Sequence, residues 1–260
     1  MSDVDVIVLD ATGGGEMLRD CVRSIAGAGT IIVFDNGSPA PIRIDGARVI
    51  RSEQNIGFAA GVNEAYRHTT AAYVALINND VVLDRDWMDV TREALDDDPK
   101  LAAVQTILRR DARTIDGAGI DVNDGTFRQI GYGLPMGSAL PQPWGVSATA
   151  TLYRRAALGD RVFDPRFFAY YEDVELCARL HDAGLRTAVL PIDKATHRGS
   201  ASASILGAAA KRLRTRNRYF VARLHRGVGR ISALLIEDLE LLAKGQSSVR
   251  GIIEGLCSRL

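Results

Sequence analysis

Short, continuous β-branched runs alternate with helical patterns early in this chain, and that alternation limits the fold more than any other feature. "VDVIVL" (4–9), "TIIVF" (30–34), "RVI" (48–50) and "YVALI" (73–77) lie close to Gly, Asn or Asp, as strands covered on both faces do. Between the first two, "EMLRDCVRSIAGAG" sets Met17, Leu18, Cys21, Val22 and Ile25 on one helical face, with Gly27 or Gly29 to stop it. Between the last two, "FAAGVNEAYRHT" spaces Phe58, Val62, Ala65 and Tyr66 for another helix. Repeated strand, helix, strand units predict an α/β fold: a mostly parallel central sheet flanked by helices, with right-handed crossovers. Ligands of such sheets bind beyond the carboxyl ends of the strands. Asp35, Asn36 and Gly37 follow the second run and Asn78, Asn79 and Asp80 the fourth, so both polar clusters are expected to share one cleft.

Further along, the pattern predicts a helix from near Asp84 to Pro99 and a strand in "LAAVQTIL". Residues 111–145 are rich in Gly and polar side chains, with a hairpin expected across Asn123, Asp124 and Gly125, and suit a flap over a site. A helix is expected from about Asp173 to Ala183, stopped at Gly184, then a strand in "RTAVLP" with His197 a few residues beyond it. "ISALLIEDLELLAKG" and "SVRGIIEGLCSRL" read as amphipathic helices.

Composition excludes several classes. The 260 residues, 47% of them apolar, suffice for a sizeable core, and a formal net charge of zero gives no sign of a polyanionic partner. Cys21, Cys177 and Cys257 have neither disulfide-framework nor zinc spacing, which points to a reducing cytoplasm. The N-terminal "MSDVDVIVLDATGGG" carries acids where a signal peptide carries bases, and no apolar run approaches the ~18–20 residues that span a bilayer. A cytoplasmic protein, soluble or peripheral at the inner face of the membrane, is expected.

Glu172 and Asp173 open a predicted helix behind Phe167, Phe168, Tyr170 and Tyr171, an aromatic wall able to desolvate a carboxylate and hold a sugar ring. Acids also favour helix N-termini for capping alone, "DNGS" at Asp35 is an ordinary turn, and a single His in a loop carries little information. In combination these pieces are far more specific. Read in order, "VFDNGSPA", "NIGFAAGVNEA", "LINND", "VSATATLYRRAAL", "FDPRFFAYYEDVELCARL", "AGLRTAVLP" and "HRGSAS" resemble family-two glycosyltransferases of the GT-A fold, with its Rossmann-like sheet, particularly the rhamnosyltransferase-like branch that builds bacterial cell-surface polysaccharides.

The resemblance spans roughly residues 4–203 and implies roles. Asp35 would contact the nucleotide base, with Asn36 beside it, while Asn55, Gly57 and Asn63 would line the nucleotide and diphosphate pocket. Asn78, Asn79 and Asp80 match the D-x-D-like motif, whose last carboxylate binds a divalent cation, Mg or Mn, on the donor diphosphate; His197 would be a further metal or diphosphate ligand. Asp173 is the expected general base of an inverting transfer, with Glu172 beside it. Ser147, Ala148 and Thr149 stand where Ser-Gly-Ala is usual and, with Tyr170 and Tyr171, would face the acceptor. The usual loop after the first strand is replaced by "LDATGGG", where Asp10 and Thr12 would substitute in donor binding, and Asn78 replaces the first carboxylate of the strict motif.

The implied activity is transfer of a sugar from dTDP-rhamnose or a UDP-sugar to a glycan or polyprenyl-linked acceptor. A non-catalytic sugar-nucleotide binder of the same fold is the alternative. The catalytic domain would occupy 1–203, with a basic helical extension over 204–260. In that extension Lys211, Arg212, Arg214, Arg216, Arg218, Arg223, Arg226 and Arg230 accumulate around a stripe of Leu213, Phe220 and Leu224. Such a face fits anionic lipid, a solvated surface or a homodimer. Nucleic acid is not expected, because acids elsewhere compensate the charge and no aromatic-interleaved RNA motif is present.

Overall fold

The computed structural model describes residues 3–259 except 124, 200 and 226, and for 201–205 only the backbone. The expected turn residue Asp124 and the basic Arg226 therefore lie outside the described residues. The first half follows the predicted alternation: β1 (Val4–Asp10), α1 (Glu16–Ser24), β2 (Ile31–Asn36), β3 (Arg48–Ser52), α2 (Phe58–Tyr66) and β4 (Tyr73–Asn78). These four strands are parallel in the order β3-β2-β1-β4.

β1 shows why the apolar runs are unbroken. Val4, Val6 and Val8 enter one core with Leu18, Cys21 and Val22 of α1. Ile7, on the opposite face, packs with Ala59, Val62, Ala65 and Tyr66 of α2. A strand buried on both faces has no polar side to display. α1 is shorter than its pattern: it ends at Ser24, Ile25 is buried in extended backbone beyond it, and Met17 turns outward, 39% exposed.

The sheet continues through strands of mixed direction. After β5 (Val81–Leu83) and α3 (Trp87–Asp97) come β6 (Leu101–Arg109), β7 (Ile115–Gly117), the hairpin β8 (Ile120–Asn123) and β9 (Thr126–Gln129), then β10 (Ala150–Arg154) and α4 (Arg155–Leu158). α5 (Glu172–Asp182) and β11 (Arg186–His197) complete the α/β body. The order extends as β4-β10-β6-β11-β5, with β7 on β6; β10, β5 and β7 run against the other six. The sheet is thus mostly parallel and flanked by helices, as expected.

β11 outruns the expected strand. Register shifts between Leu190 and Asp193, and again between Asp193 and Ala195, carry the pairing past Pro191. His197 consequently ends a strand, opposite Val81 of β5, instead of lying in a loop.

The C-terminal segment forms α6 (Ala201–Leu224, broken at Gly207), α7 (Ile231–Ala243) and α8 (Val249–Cys257). Tyr219, Phe220 and Val221 of α6 share a core with Phe127, Phe167, Val174 and Leu234, so this segment packs into the elements that build the site. The basic face expected to meet solvent, lipid or a second copy is turned inward in part, while Lys211, Arg214 and Arg230 stay exposed. Arg218 is buried against Glu237 and Asp238. Arg223 donates to the carbonyls of Gly255 (2.8 Å) and Ser258 (2.9 Å), and Arg212 pairs with Glu254 at 3.6 Å. Guanidinium groups drawn towards a helix interface need such acceptors, and the three helices supply them. Among the described residues, no helix is long and apolar enough to cross a membrane.

Candidate active site

A cleft of about 650 Å³ opens at the carboxyl ends of β1, β2 and β4. A groove of similar size, about 660 Å³, lies at the opposite end of β4 around Tyr73 and Arg155, and Asp160 is the one acid on its wall among the described residues. The first cleft is where the strand-end rule puts chemistry, and it gathers Asp80, Asp116, Glu172 and Asp173.

Side-chain hydrogen bonds shape the strand-end side. Asn36 Nδ2 donates to Asn55 Oδ1 and to the Gly57 carbonyl (both 3.2 Å), and its Oδ1 accepts from the Ile56 amide at 2.9 Å. Asn36, Asn55 and Gly57 all line the cleft. Gly57 is at φ +89°, where a Cβ would stand 2.6 Å from the Phe168 ring, so only glycine fits beneath that ring. Asn78, Asn79 and Asp80 line the floor, with Asn79 held by Asp10.

Four expected donor residues are placed behind the wall. Asp10 is fully buried: Oδ2 accepts the amides of Thr12, Gly13 and Gly14 (3.0 Å each) and Oδ1 the Thr12 hydroxyl, so Asp10 and Thr12 shape the glycine loop while Leu9 and Ala11 face the cleft. Asp35 accepts from Ser38, Ile42 and Arg51. Burial opposes its charge, but those bonds outweigh burial and hold its carboxyl below the ordinary range. Asn63 spends its amide on the 162–163 backbone: Nδ2 donates to the Phe163 carbonyl (2.8 Å), and Oδ1 accepts from Val162 (3.0 Å) and Phe163 (2.9 Å). These bonds, local at Asp10 and long-range at Asn63, satisfy groups that would otherwise be buried without partners.

On the floor, His197 stands between two acids. Its Nε2 is 3.2 Å from Asp80 Oδ1 and its Nδ1 2.6 Å from Asp116 Oδ2. Burial works against the imidazolium, but the two carboxylates outweigh it and raise the pKa to about 9. Among the described residues no three His, Cys, Asp or Glu side chains form a metal-binding group. Two donors with a diphosphate still suit a hard cation: the 3.2 Å separation of Asp80 Oδ1 and His197 Nε2 is near the ~3 Å edge of an octahedron with bonds of ~2.1 Å. A carboxylate on the second ring nitrogen, the place Asp116 takes, is how metal-binding histidines are oriented.

The opposite wall is an aromatic turn leading into α5. Phe168, Tyr170 and Tyr171 have φ of 64°, 73° and 67°, each costing of order 1–3 kcal/mol for a non-glycine residue. Phe168, Tyr170 and Tyr171 line the cleft, whereas Phe167 is fully buried against Phe220. Asp173 Oδ2 accepts the Ala148 amide at 3.3 Å and Oδ1 the Val174 amide at 2.9 Å. Burial raises its pKa although both bonds oppose the rise, and it raises Glu172 to about 8 with help from Asp173's charge. Glu172 Oε2 is buried and has no hydrogen-bond partner among the described residues. Ser147, Ala148 and Thr149 line the same side, with the Ser147 amide donating to Gln105 Oε1 at 2.8 Å.

Residues 6–161, which supply the strand ends and Asp80 and Asp116 of the cleft, match the family described as "Glycosyl transferase family 2". The chain belongs to that family. Among solved structures, TarS 1-349 of S. aureus superposes with a TM-score of 0.57 at 16% identity, covering 98% of this chain and 71% of that one. The mannosyltransferase PcManGT from Pyrobaculum calidifontis, in complex with GDP-Man and Mn2+, gives 0.58 at 16% identity over 99% and 76%. GalNAc-T7 with UDP, GalNAc and Mn2+ gives 0.60 at 12% identity over 96% of this chain and 56% of that one. At these identities the likeness is one of fold, and it agrees with GT-A architecture. No curated protein gives a significant match.

Several cleft residues of this glycosyltransferase went unread in the sequence. Asp116, Arg110, Arg128 and Tyr132 come from the glycine-rich 111–145 region and its border, and Arg214 from α6 lies 4.4 Å over the Tyr170 ring. The region's composition signalled a cover over a site, but no local motif singled out Asp116.

Proposed function

We propose that this protein transfers a sugar from a nucleoside-diphosphate donor to a hydroxyl of a cell-surface glycan or lipid-linked acceptor, inverting the anomeric centre. The observation that carries the reading is two acidic centres on one cleft: Asp80 with His197 at the strand ends, and Glu172 with Asp173 on the aromatic wall. Asp173 is the general base. Its carboxylate, aimed by the Ala148 and Val174 amides, takes the acceptor's hydroxyl proton as that oxygen bonds to the anomeric carbon and the bond to the diphosphate oxygen breaks. A base so placed is worth ~10²–10⁴ in rate, and burial strengthens it by raising its pKa. Asn36, Asn55 and Gly57 form the donor wall, and the Phe168 and Tyr170 rings exclude water from the sugar. Asp80 and His197 would hold Mn or Mg, which when bound neutralises charge developing on the leaving diphosphate.

Calorimetric titration tests this reading with UDP, dTDP and GDP, each in Mn, Mg or EDTA; GDP is included because PcManGT carries GDP-Man. Cation-dependent binding of one nucleotide is expected, weakened at least tenfold in Asp80→Ala. Binding indifferent to EDTA would remove the cation, and no binding at all would remove the donor assignment. Sugar conjugates of the nucleotide that binds, dTDP-rhamnose and UDP-sugars first, then identify the donor.

A further inference from the structure

The strained turn before Glu172 is held from outside by the C-terminal helix. Asn217 of α6 is fully buried, and its Nδ2 reaches the carbonyls of Phe167 (2.8 Å), Ala169 (2.9 Å) and Tyr170 (2.7 Å). Its Oδ1 accepts from Arg216 Nε at 2.8 Å, while Arg216 Nη2 donates to the carbonyls of Arg166 (2.9 Å) and Phe167 (3.0 Å). With Phe168, Tyr170 and Tyr171 at positive φ, those carbonyls are not paired in a regular helix or sheet, and the Phe167 carbonyl also accepts the Ala169 amide within the turn at 2.8 Å. The Phe168 carbonyl points the other way and accepts the Ala59 amide at 3.0 Å, at the start of α2. The turn is therefore clamped between α6 and the donor loop.

We propose that Asn217, aided by Arg216, is a positioning residue for the reaction: it sets the turn that delivers Glu172 and Asp173 to the cleft. α6 is then part of the catalytic apparatus and not an appendage to it. The proposal rests on the reading of Asp173 as the base. Aromatic residues persist in left-handed backbone only where their surroundings over-determine it, and here the two N–H donors of one side-chain amide are shared among three carbonyls of the turn. Asp173 follows the last strained residue by two positions, so rotation in the turn displaces its carboxylate directly. Misplacement of a reacting group by about 1 Å is enough to cost ~10²-fold in rate.

The test uses the full chain with Asn217→Ala and, separately, Arg216→Met, which keeps the apolar stem and removes the donors. Hydrogen exchange is followed by mass spectrometry, and nucleotide release is measured from UDP-glucose, GDP-mannose and dTDP-rhamnose. Exchange is expected to quicken across 167–174 while β1 to β4 stay protected. Turnover should fall roughly 10- to 100-fold with KM for the donor within about twofold. Wild-type exchange in the turn, or a lowered melting temperature with turnover and KM both unchanged, would overturn the proposal. If Asn217→Ala does not fold, Arg216→Met decides by the same readouts. If the wild-type protein releases nucleotide from none of the donors, the assignment of Asp173 fails separately, and exchange alone decides whether α6 sets the turn.

Discussion

The strand-end side of the cleft combines short-range bonds with a few long ones, whereas the opposite side is held mainly by segments far apart in the chain. Asp10 binds amides two to four residues on, Asp35 reaches Ser38, Ile42 and Arg51, and Asn36 ties down the loop around Asn55. Across the cleft, Ala148 meets Asp173 at a separation of 25 residues and Asn217 meets Phe167 at 50, while on the floor Asp116 meets His197 at 81. The far side also carries the strain: three aromatic residues at positive φ and two carboxyl groups pushed upward by burial. Bonds to nearby residues shape much of the strand-end surface, while the carboxyl proposed as base follows a turn held by tertiary contacts.

Asp173→Asn should break the comparison most visibly. Transfer is expected to fall ~10²–10⁴-fold, with nucleotide affinity measured by calorimetry within about twofold; loss of nucleotide binding would mean that the two sides do not work separately. Gly37→Ala attacks the donor side instead. At φ +74° its Cβ would stand 2.4 Å from the Asn55 amide nitrogen and the Gln54 carbonyl carbon. Strain and overlap should together cost about 3 kcal/mol, read from denaturant midpoints.

Asn63→Ala sharpens the boundary between lining and scaffold. Removing three bonds to the 162–163 backbone is expected to cost about 1–3 kcal/mol of stability and leave nucleotide affinity unchanged. Weakened nucleotide binding in a folded variant would return Asn63 to the donor site.

Glu172→Gln has the smallest expected effect and a definite sign. Burial first, then the charge of Asp173, lifts Glu172 from its ordinary 4.5 to about 8 in the folded protein. The stability of its neutral form is fully present below 4.5 and is lost as pH rises through about 8. Melting curves of wild type and variant should coincide near pH 4, and the variant should melt a few degrees higher near pH 9. A variant no more stable at pH 9 would show that Glu172 is not a buried, neutral acid.

Much of the donor side was legible because each signal was local. A strand covered on both faces must be apolar throughout, and a strand end in this topology must turn towards the ligand edge, so Asn36 and Asp80 were found from pattern alone. The same reasoning did not distinguish lining from scaffold: Asp10, Asp35 and Asn63 have the right residue types, yet their oxygens accept from backbone amides and, at Asp10 and Asp35, from neighbouring side chains. Pro191 argued for an early end to β11, and only pairing through register shifts carried the strand to His197.

The sequence by itself determined the alternating frame, the edge at which ligands bind and the residues that head α5, because periodicity, strand polarity and helix starts are properties of neighbours in the chain. Only tertiary structure decided that Asp116 orients His197, that Arg218 and Arg223 of α6 turn inward, and that Asn217 bonds the turn before Glu172. Each of these joins residues dozens of positions apart, and each exists because a buried charge or carbonyl must find a partner wherever the folded chain brings one.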